Sequence, residues 1–260
     1  MPETISSQYL EKMKSCLKLT FNNGKTALAT QVEKPEELPY ALETIGLCGS
    51  RPVLVVVGGA SNISEADFFR IQRLFVEVLA PIAETLGAYV VDGGTDAGIM
   101  QMIGAARTQI GAKFALVGVI PEGKVALPNH SETAADLTPL EANHTHFVLV
   151  PGNDWGDESP WISCIATMLA NDAPSITLLL NGGEITFKDA LSSVDNGRVV
   201  LVIAGSGRTA DILADALRGK ATDERAKNLA KSGTLQYIDL IDIEKGVENL
   251  GKVIKGLLSN

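Results

Sequence analysis

The sequence predicts an α/β fold, a Rossmann-like, doubly wound and mostly parallel sheet with helices on both faces. Three observations predict it. Short apolar runs recur from Pro52 onward, too continuous for strands that are half exposed. Amphipathic stretches of helical period separate them, as the crossovers of a parallel sheet require. Glycine-bearing turns follow five of the runs, where strand-to-helix connections would fall.

The runs are PVLVVV (52–57), AYVVDG (88–93), FALVGVI (114–120), THFVLV (145–150), SITLLL (175–180), RVVLVIA (198–204) and LQYIDLI (235–241). Helical periods fill the intervals at Ala66–Leu86, Gly98–Gln109, Trp161–Ala170 and Thr209–Leu217. Ahead of them, LKLTFNNGKTALATQV (17–32) alternates around Asn23-Gly24 and reads as a β-hairpin. Residues 1–50 are therefore expected as an extension that carries the hairpin and packs on a main domain over 51–260. Gly24-Lys25-Thr26 is only a fragment of a phosphate-binding loop. The glycine that such a loop needs five residues earlier is Leu19, so backbone amides could not wrap a phosphate.

Composition narrows the function. The chain has 260 residues, 45% hydrophobic and 20% charged, enough to bury a large core. Its net charge of −9 argues against a nucleic-acid partner, which needs a basic face to displace counterions. No run approaches the ~18 apolar residues of a membrane span. The opening MPETISSQYLEKMK lacks a basic segment followed by an apolar one, so a secretory signal is not expected and the cytoplasm is the expected compartment. Cys16, Cys48 and Cys164 lie far apart and read as reduced thiols.

The chemistry gathers at the strand ends. Gly58, Gly59, Ser61 and Asn62 follow the first run, and Gly93, Gly94, Thr95 and Asp96 follow the second. Gly152 and Asn153 follow the fourth, and Gly182 and Gly183 the fifth. Gly205, Ser206, Gly207, Arg208 and Thr209 follow the sixth. Glycines admit a ligand close to backbone amides, and the helix N-terminus beyond favours negative charge. These residues are the candidate ligand-binding set. GSGRTA (205–210) satisfies the dinucleotide fingerprint, but no acidic residue ends the next strand about 20 residues on, so a dehydrogenase is not expected. Arg208 opens a helix beside free amides, where a guanidinium can grip phosphate bidentately. Thr95 and Asp96 suit either a helix cap or a ribose contact. His144 and His146, two apart at a strand start, are expected on one face. With Glu141 they suggest a metal only weakly, since no third ligand has a recognisable spacing. Trp155 and Trp161 bracket an acidic turn and suit adenine stacking or core packing equally.

KPEELPYAL (34–42), VVVGGASN (55–62), VDGGTDAGIM (91–100), LVGVIPEG (116–123), NHTHFVLVPG (143–152), LLLNGGEIT (178–186) and LVIAGSGRTADILA (201–214) together resemble the SLOG superfamily. The likeness is to its prokaryotic branch, related to the N-terminal region of melastatin-type TRP channels. The resemblance implies a nucleotide-binding or sensor protein for an ADP-ribose- or NAD-derived ligand, or another adenine nucleotide, with no cofactor required and homo-oligomers common. Gly93–Asp96 and Gly205–Arg208 would hold phosphates and ribose. Another branch, the lonely-guy phosphoribohydrolases, cleaves N-glycosidic bonds of nucleoside monophosphates with a P-G-G-x-G-T-x-x-E turn and an upstream arginine. Here PGNDWGDE (151–158) keeps the proline, one glycine and an acid, Glu158, at altered spacing. LTPLEANHTHF (137–147) has no arginine. Glu158 as a catalytic acid or base of an N-glycosidase is thus the alternative. Nothing marks a pyridoxal-phosphate lysine, as the lysine-decarboxylase label would require.

Overall fold

The computed structural model describes residues 16–59, 65–128, 137–220, 222–240 and 243–259. Strands β1 (Leu17–Thr20) and β2 (Thr26–Gln31) form the hairpin, and helix α1 (Leu38–Thr44) follows. Then come β3 (Val53–Gly58), α2 (Glu65–Leu74), α3 (Ala80–Leu86), β4 (Tyr89–Asp92), α4 (Gly98–Gln109) and β5 (Leu116–Pro121). Two short strands, β6 (Val125–Ala126) and β7 (Thr138–Pro139), precede β8 (His146–Val150) and α5 (Ser159–Ala170). The chain continues through β9 (Ser175–Leu180), α6 (Glu184–Asp195), β10 (Val199–Ala204), α7 (Arg208–Leu217), α8 (Glu224–Ala230), β11 (Leu235–Asp239) and α9 (Ile243–Ser259).

Nine strands make one sheet in the order β1-β2-β8-β5-β4-β3-β9-β10-β11. Every neighbouring pair is parallel except the β1–β2 hairpin, so the expected Rossmann-like α/β architecture is present. The hairpin is not a separate layer. Thr26–Gln31 pairs in parallel with β8 and extends the sheet.

Alternation along the apolar strands fills two cores. Val53, Val55 and Val57 pack with α1, α5, α6, α7 and α8 on one face. Leu54 and Val56 pack with α2, α3, α4 and α9 on the other. Both faces are covered, which is why the strands read as continuous hydrophobic runs. A third cluster, around Phe21, Ile120 and Phe147, seats the hairpin. The helix expected over 66–86 is broken by a π-helical stretch at Phe75–Leu79, just before Pro81. Proline has no N–H to return to residue 77, and the widened turn accommodates that loss.

At the opposite edge from the glycine turns, Arg198 is only 3% exposed. Its guanidinium donates to Ser163 Oγ at 2.9 Å, Ser163 O at 2.9 Å, Thr167 Oγ1 at 2.6 Å and Ser175 Oγ at 3.2 Å. Burial pushes its pKa down to about 10. This one side chain ties α5 to the starts of β9 and β10. Replacing it by alanine removes the donors and leaves a cavity, so R198A is expected to lose about 2–4 kcal/mol. Chemical denaturation reads the loss, and an unchanged midpoint would contradict the role.

Candidate functional site

The strand order reverses at β3. The chain runs from β3 through β4 and β5 to β8 in one direction, then returns to β9 beside β3 and proceeds to β10 and β11. Loops leaving β3 and β9 therefore diverge, and a doubly wound sheet opens its ligand crevice at such a point. A cavity of about 410 Å³ lies there, in the range of ~300–1,000 Å³ common for small-molecule sites.

Its floor is made by close backbone contact. Gly58 has φ +155°, and a Cβ there would stand 1.9 Å from the Leu180 carbonyl oxygen. Only glycine lets β3 end against β9 this tightly. The N-terminal ends of four helices then converge. Ala97 and Met100 come from α4, Glu158 and Ile162 from α5, Gly183 to Thr186 from α6, and Arg208 from α7. Each N-terminus brings the positive end of a helix dipole to the cavity. Some of the amides are held within the fold: Ile99 N donates to Gly59 O at 3.2 Å, Gly183 N to Thr186 Oγ1 at 3.2 Å and Thr209 N to Gly182 O at 3.5 Å. Arg208 is the first residue of α7 and sits at φ +51°, a left-handed conformation unusual for a side-chain-bearing residue. Its Nη2 lies 2.9 Å from where a Cβ on Gly183 would be, so the glycine clears the guanidinium's place at the start of α6.

The β9–α6 and β10–α7 turns are bolted together. Asn181 N donates to Ser206 Oγ at 2.8 Å, and Asn181 Nδ2 donates to Ser206 O at 2.8 Å. Ala210 N reaches Asn181 O at 3.0 Å, and Thr209 Oγ1 donates to Gly183 O at 3.0 Å.

Two acids complete the cavity wall. Glu158 Oε2 accepts from Gly156 N at 2.7 Å, and Asp189 Oδ1 accepts from Ser159 Oγ at 2.5 Å. Burial raises the Glu158 pKa above the usual carboxylate range. Burial, joined by the charge of Glu158, lifts Asp189 to about 7 even against its Ser159 hydrogen bond and nearby Lys188.

Of the residues singled out from sequence, Gly58, Gly59, Gly93, Thr95, Glu158, Gly183 and Arg208 line the cavity. The other candidate ligand-binding residues among those described stand back from it. Gly94 packs against Gly118 Cα and Ile120, and Gly182 packs against Thr186. Asp96 is exposed over a neighbouring hollow, where Gln101 Nε2 donates to it at 3.1 Å. Gly152 packs on Asp157 and Pro121, and the Asn153 amide donates to Asp157 Oδ2 at 3.1 Å. Gly205 N donates to Asp211 Oδ1 at 2.6 Å. Ser206, Gly207 and Thr209 belong to the interlock, Gly207 lying against the Asn181 amide. Ser61 and Asn62 lie outside the described residues. Trp155 lines the cavity, whereas Trp161 packs against the core. Neither Thr95 nor Asp96 caps α4, whose N-cap is Ala97. Asp189 was missed. The signal was present, for it shares the inward face of α6 with Thr186, Ala190 and Ser193, and a carboxyl there is conspicuous.

The expectation that His144 and His146 face the same way is overturned. The chain turns through residues 142–145 before β8 begins, which rotates His144 onto the opposite face. His146 meets Thr145 Oγ1 at 2.7 Å, and burial lowers its pKa to about 4. His144 stacks on Phe147 at 5.4 Å and bridges Asp92 Oδ1 and Glu141 Oε2, each at 2.8 Å. Asp92 Oδ1 also accepts from Gly94 N at 2.7 Å, so this buried centre shapes the turn that delivers Gly93 and Thr95. Burial opposes a charge on the imidazole, but the two carboxylates override it and lift His144 to about 9. Among the described residues, no group of three His, Cys, Asp or Glu side chains is arranged to hold a metal ion.

A parallel sheet reversing at β3, with a crevice ringed by helix N-termini, defines a Rossmann-like α/β protein. The family model described as SLOG in TRPM, prokaryote, matches residues 51–249, and the chain belongs to that family. Mouse transient receptor potential cation channel subfamily M member 2 is 26% identical over 232 residues, covering 74% of this chain and 15% of the channel. The rat protein of the same name is 25% identical, over 62% of this chain and 13% of the channel. A transient receptor potential channel of Caenorhabditis elegans is 27% identical, over 66% of this chain and 10% of its own length. The chain thus matches only a small part of each of these much longer relatives. Among the described residues, no helix is long and apolar enough to cross a membrane.

The His144 centre has a pH signature. Because the folded pKa stands near 9 against 6.5 for an ordinary histidine, the stabilisation is complete below pH 6.5 and is lost as pH rises toward 9. Thermal melts across that window are expected to fall in Tm, and H144Q is expected to be less stable and to lose this slope. A wild-type Tm that is flat from pH 6.5 to 9 would contradict a buried imidazolium.

Proposed function

We propose that the switch-point crevice binds a phosphate-bearing adenine nucleotide, of the ADP-ribose or NAD-derived kind, and that the protein acts as a nucleotide sensor. The observation that carries this reading is the convergence of four helix N-termini and the Arg208 guanidinium on one cavity. Amide dipoles and a planar cation suit phosphate oxygens, and they do so locally despite the overall charge of −9. Membership of the family supports a nucleotide-related role, and the resemblance to the channel branch is the reason for choosing ADP-ribose-type ligands as the first candidates. Apolar Met100, Ile162 and Ile185, with Trp155, would cover the sugar and base.

Calorimetric titration with ADP-ribose, cyclic ADP-ribose, NAD and AMP tests the reading. At least one should bind, and R208A should weaken it by about 1.5–3 kcal/mol, the scale of a charged hydrogen bond. Absence of heat with all four, or equal affinity in the variant, would reject it.

Glu158 keeps a second reading in view, hydrolysis of a nucleotide's N-glycosidic bond. Its carboxyl faces the cavity and holds its proton more tightly than an exposed acid, as a general acid must. Incubation with AMP or NAD, followed by chromatography, should then show released base that E158Q abolishes. No base released by the unaltered protein removes this reading and leaves the sensor.

A further inference from the structure

The cavity is chemically lopsided. Its cationic end lies where Arg208 crosses the start of α6 above Gly183. Asp189 lies five residues beyond Glu184, the first residue of that helix, about 7.5 Å along the axis at ~1.5 Å per residue. Glu158, just before α5, lines the same cavity, and its charge acts on Asp189. An anion cradle and a pair of acids therefore face one cavity from neighbouring levels of α6.

We propose that Asp189 and Glu158 are the hydroxyl-reading end of this site, selecting a phosphoribosyl ligand whose ring hydroxyls are unsubstituted. The inference rests on the nucleotide-binding reading and names which part of the ligand decides specificity. In the hydrogen bonds described for them, the protein takes up one oxygen of each acid, through Gly156 N and Ser159 Oγ. The vicinal hydroxyls of a ribose each donate and accept, so they can pair with carboxyl groups in either protonation state. Burial raises the pKa of both acids, and the charge of Glu158 adds to it at Asp189, so a neutral carboxyl able to donate is favoured on this wall. The groups acting on the pair are Lys188 of α6 and Asp157 before α5, with Glu184 and Arg208 at the cavity's other end. A phosphate on the ring hydroxyls would bring negative charge against buried acids and away from the amides. A missing hydroxyl would leave a carboxyl oxygen without a partner, and sites built for a hydroxyl reject ligands lacking it. The distance along α6 is on the scale that separates a 5-phosphate from the ring hydroxyls of the same pentose.

The experiment is calorimetry on the full chain with AMP, 2′-deoxy-AMP, adenosine 2′,5′-bisphosphate and ADP-ribose. On the unaltered protein, AMP is expected to bind at least tenfold more tightly than 2′-deoxy-AMP and the 2′,5′-bisphosphate. D189N keeps an acceptor for Ser159 and conserves volume. It is expected to weaken AMP about tenfold while leaving 2′-deoxy-AMP within twofold, so the discrimination collapses. A thermal melt of D189N within a few degrees of the unaltered chain shows that the variant is folded, and the ligand comparison on the unaltered protein stands without it. If ADP-ribose binds but AMP and 2′-deoxy-AMP do not differ, or D189N weakens both alike, the hydroxyl-reading assignment is overturned and the nucleotide reading survives. If none of the four binds, both fall.

Discussion

Asn181 and Ser206 hold the β9–α6 and β10–α7 turns as a single unit, and the rim of the crevice depends on that lock. Two hydrogen bonds between these residues are joined by Ala210 N to Asn181 O and by the Thr209 hydroxyl to Gly183 O. The turns then cannot move separately, so the start of α6 and the guanidinium of Arg208 stay in register. Asn181 occupies the left-handed region at φ +52°, which asparagine tolerates better than most residues. Ser206 is fully buried, so its hydroxyl contributes to the geometry of the rim and not to its solvent-facing surface. Satisfied buried polar networks of this kind rigidify the elements they join.

Against that fixed rim the cavity separates its charges. Helix amides and Arg208 favour negative charge at one end, while buried Glu158 and Asp189 disfavour it at the other. On the far side of Gly93 and Thr95, His144 balances Asp92 and Glu141 inside the protein. Those two carboxylates are therefore spent on architecture. The overall acidity of the chain says little about this arrangement, because each cluster is decided by contacts of 2.5–2.8 Å and by burial.

Much of the fold was legible in the sequence. SITLLL coincides with β9, and Gly98–Gln109 coincides with α4, because a doubly covered sheet writes itself as uninterrupted apolar runs. The glycine turns were found at the correct edge for the same reason. What the sequence could not disclose was strand order. Five turns looked equivalent along the chain, yet the reversal at β3 brings Gly58, Gly59, Gly93, Gly183 and Arg208 to the cavity and leaves Gly205 outside it. Glycine itself was ambiguous. Gly94 reads as a phosphate-binding residue, and its backbone also approaches Gly118 so closely that a Cβ would clash. The serine in GSGRT resembled a ligand contact but faces Asn181. The histidine pair was misread because strand periodicity was carried back into a turn, and Asp189 escaped notice because no glycine or motif marks the middle of α6.

The central claim is that an anion is cradled where α6 and α7 begin. A crystal structure of the chain with ADP-ribose tests it most directly. The account predicts phosphate oxygens within hydrogen-bonding distance of the Arg208 guanidinium and the backbone amides beside Gly183, with β3 and β9 unmoved. Ligand density seated elsewhere on the protein, with the crevice empty, would contradict it.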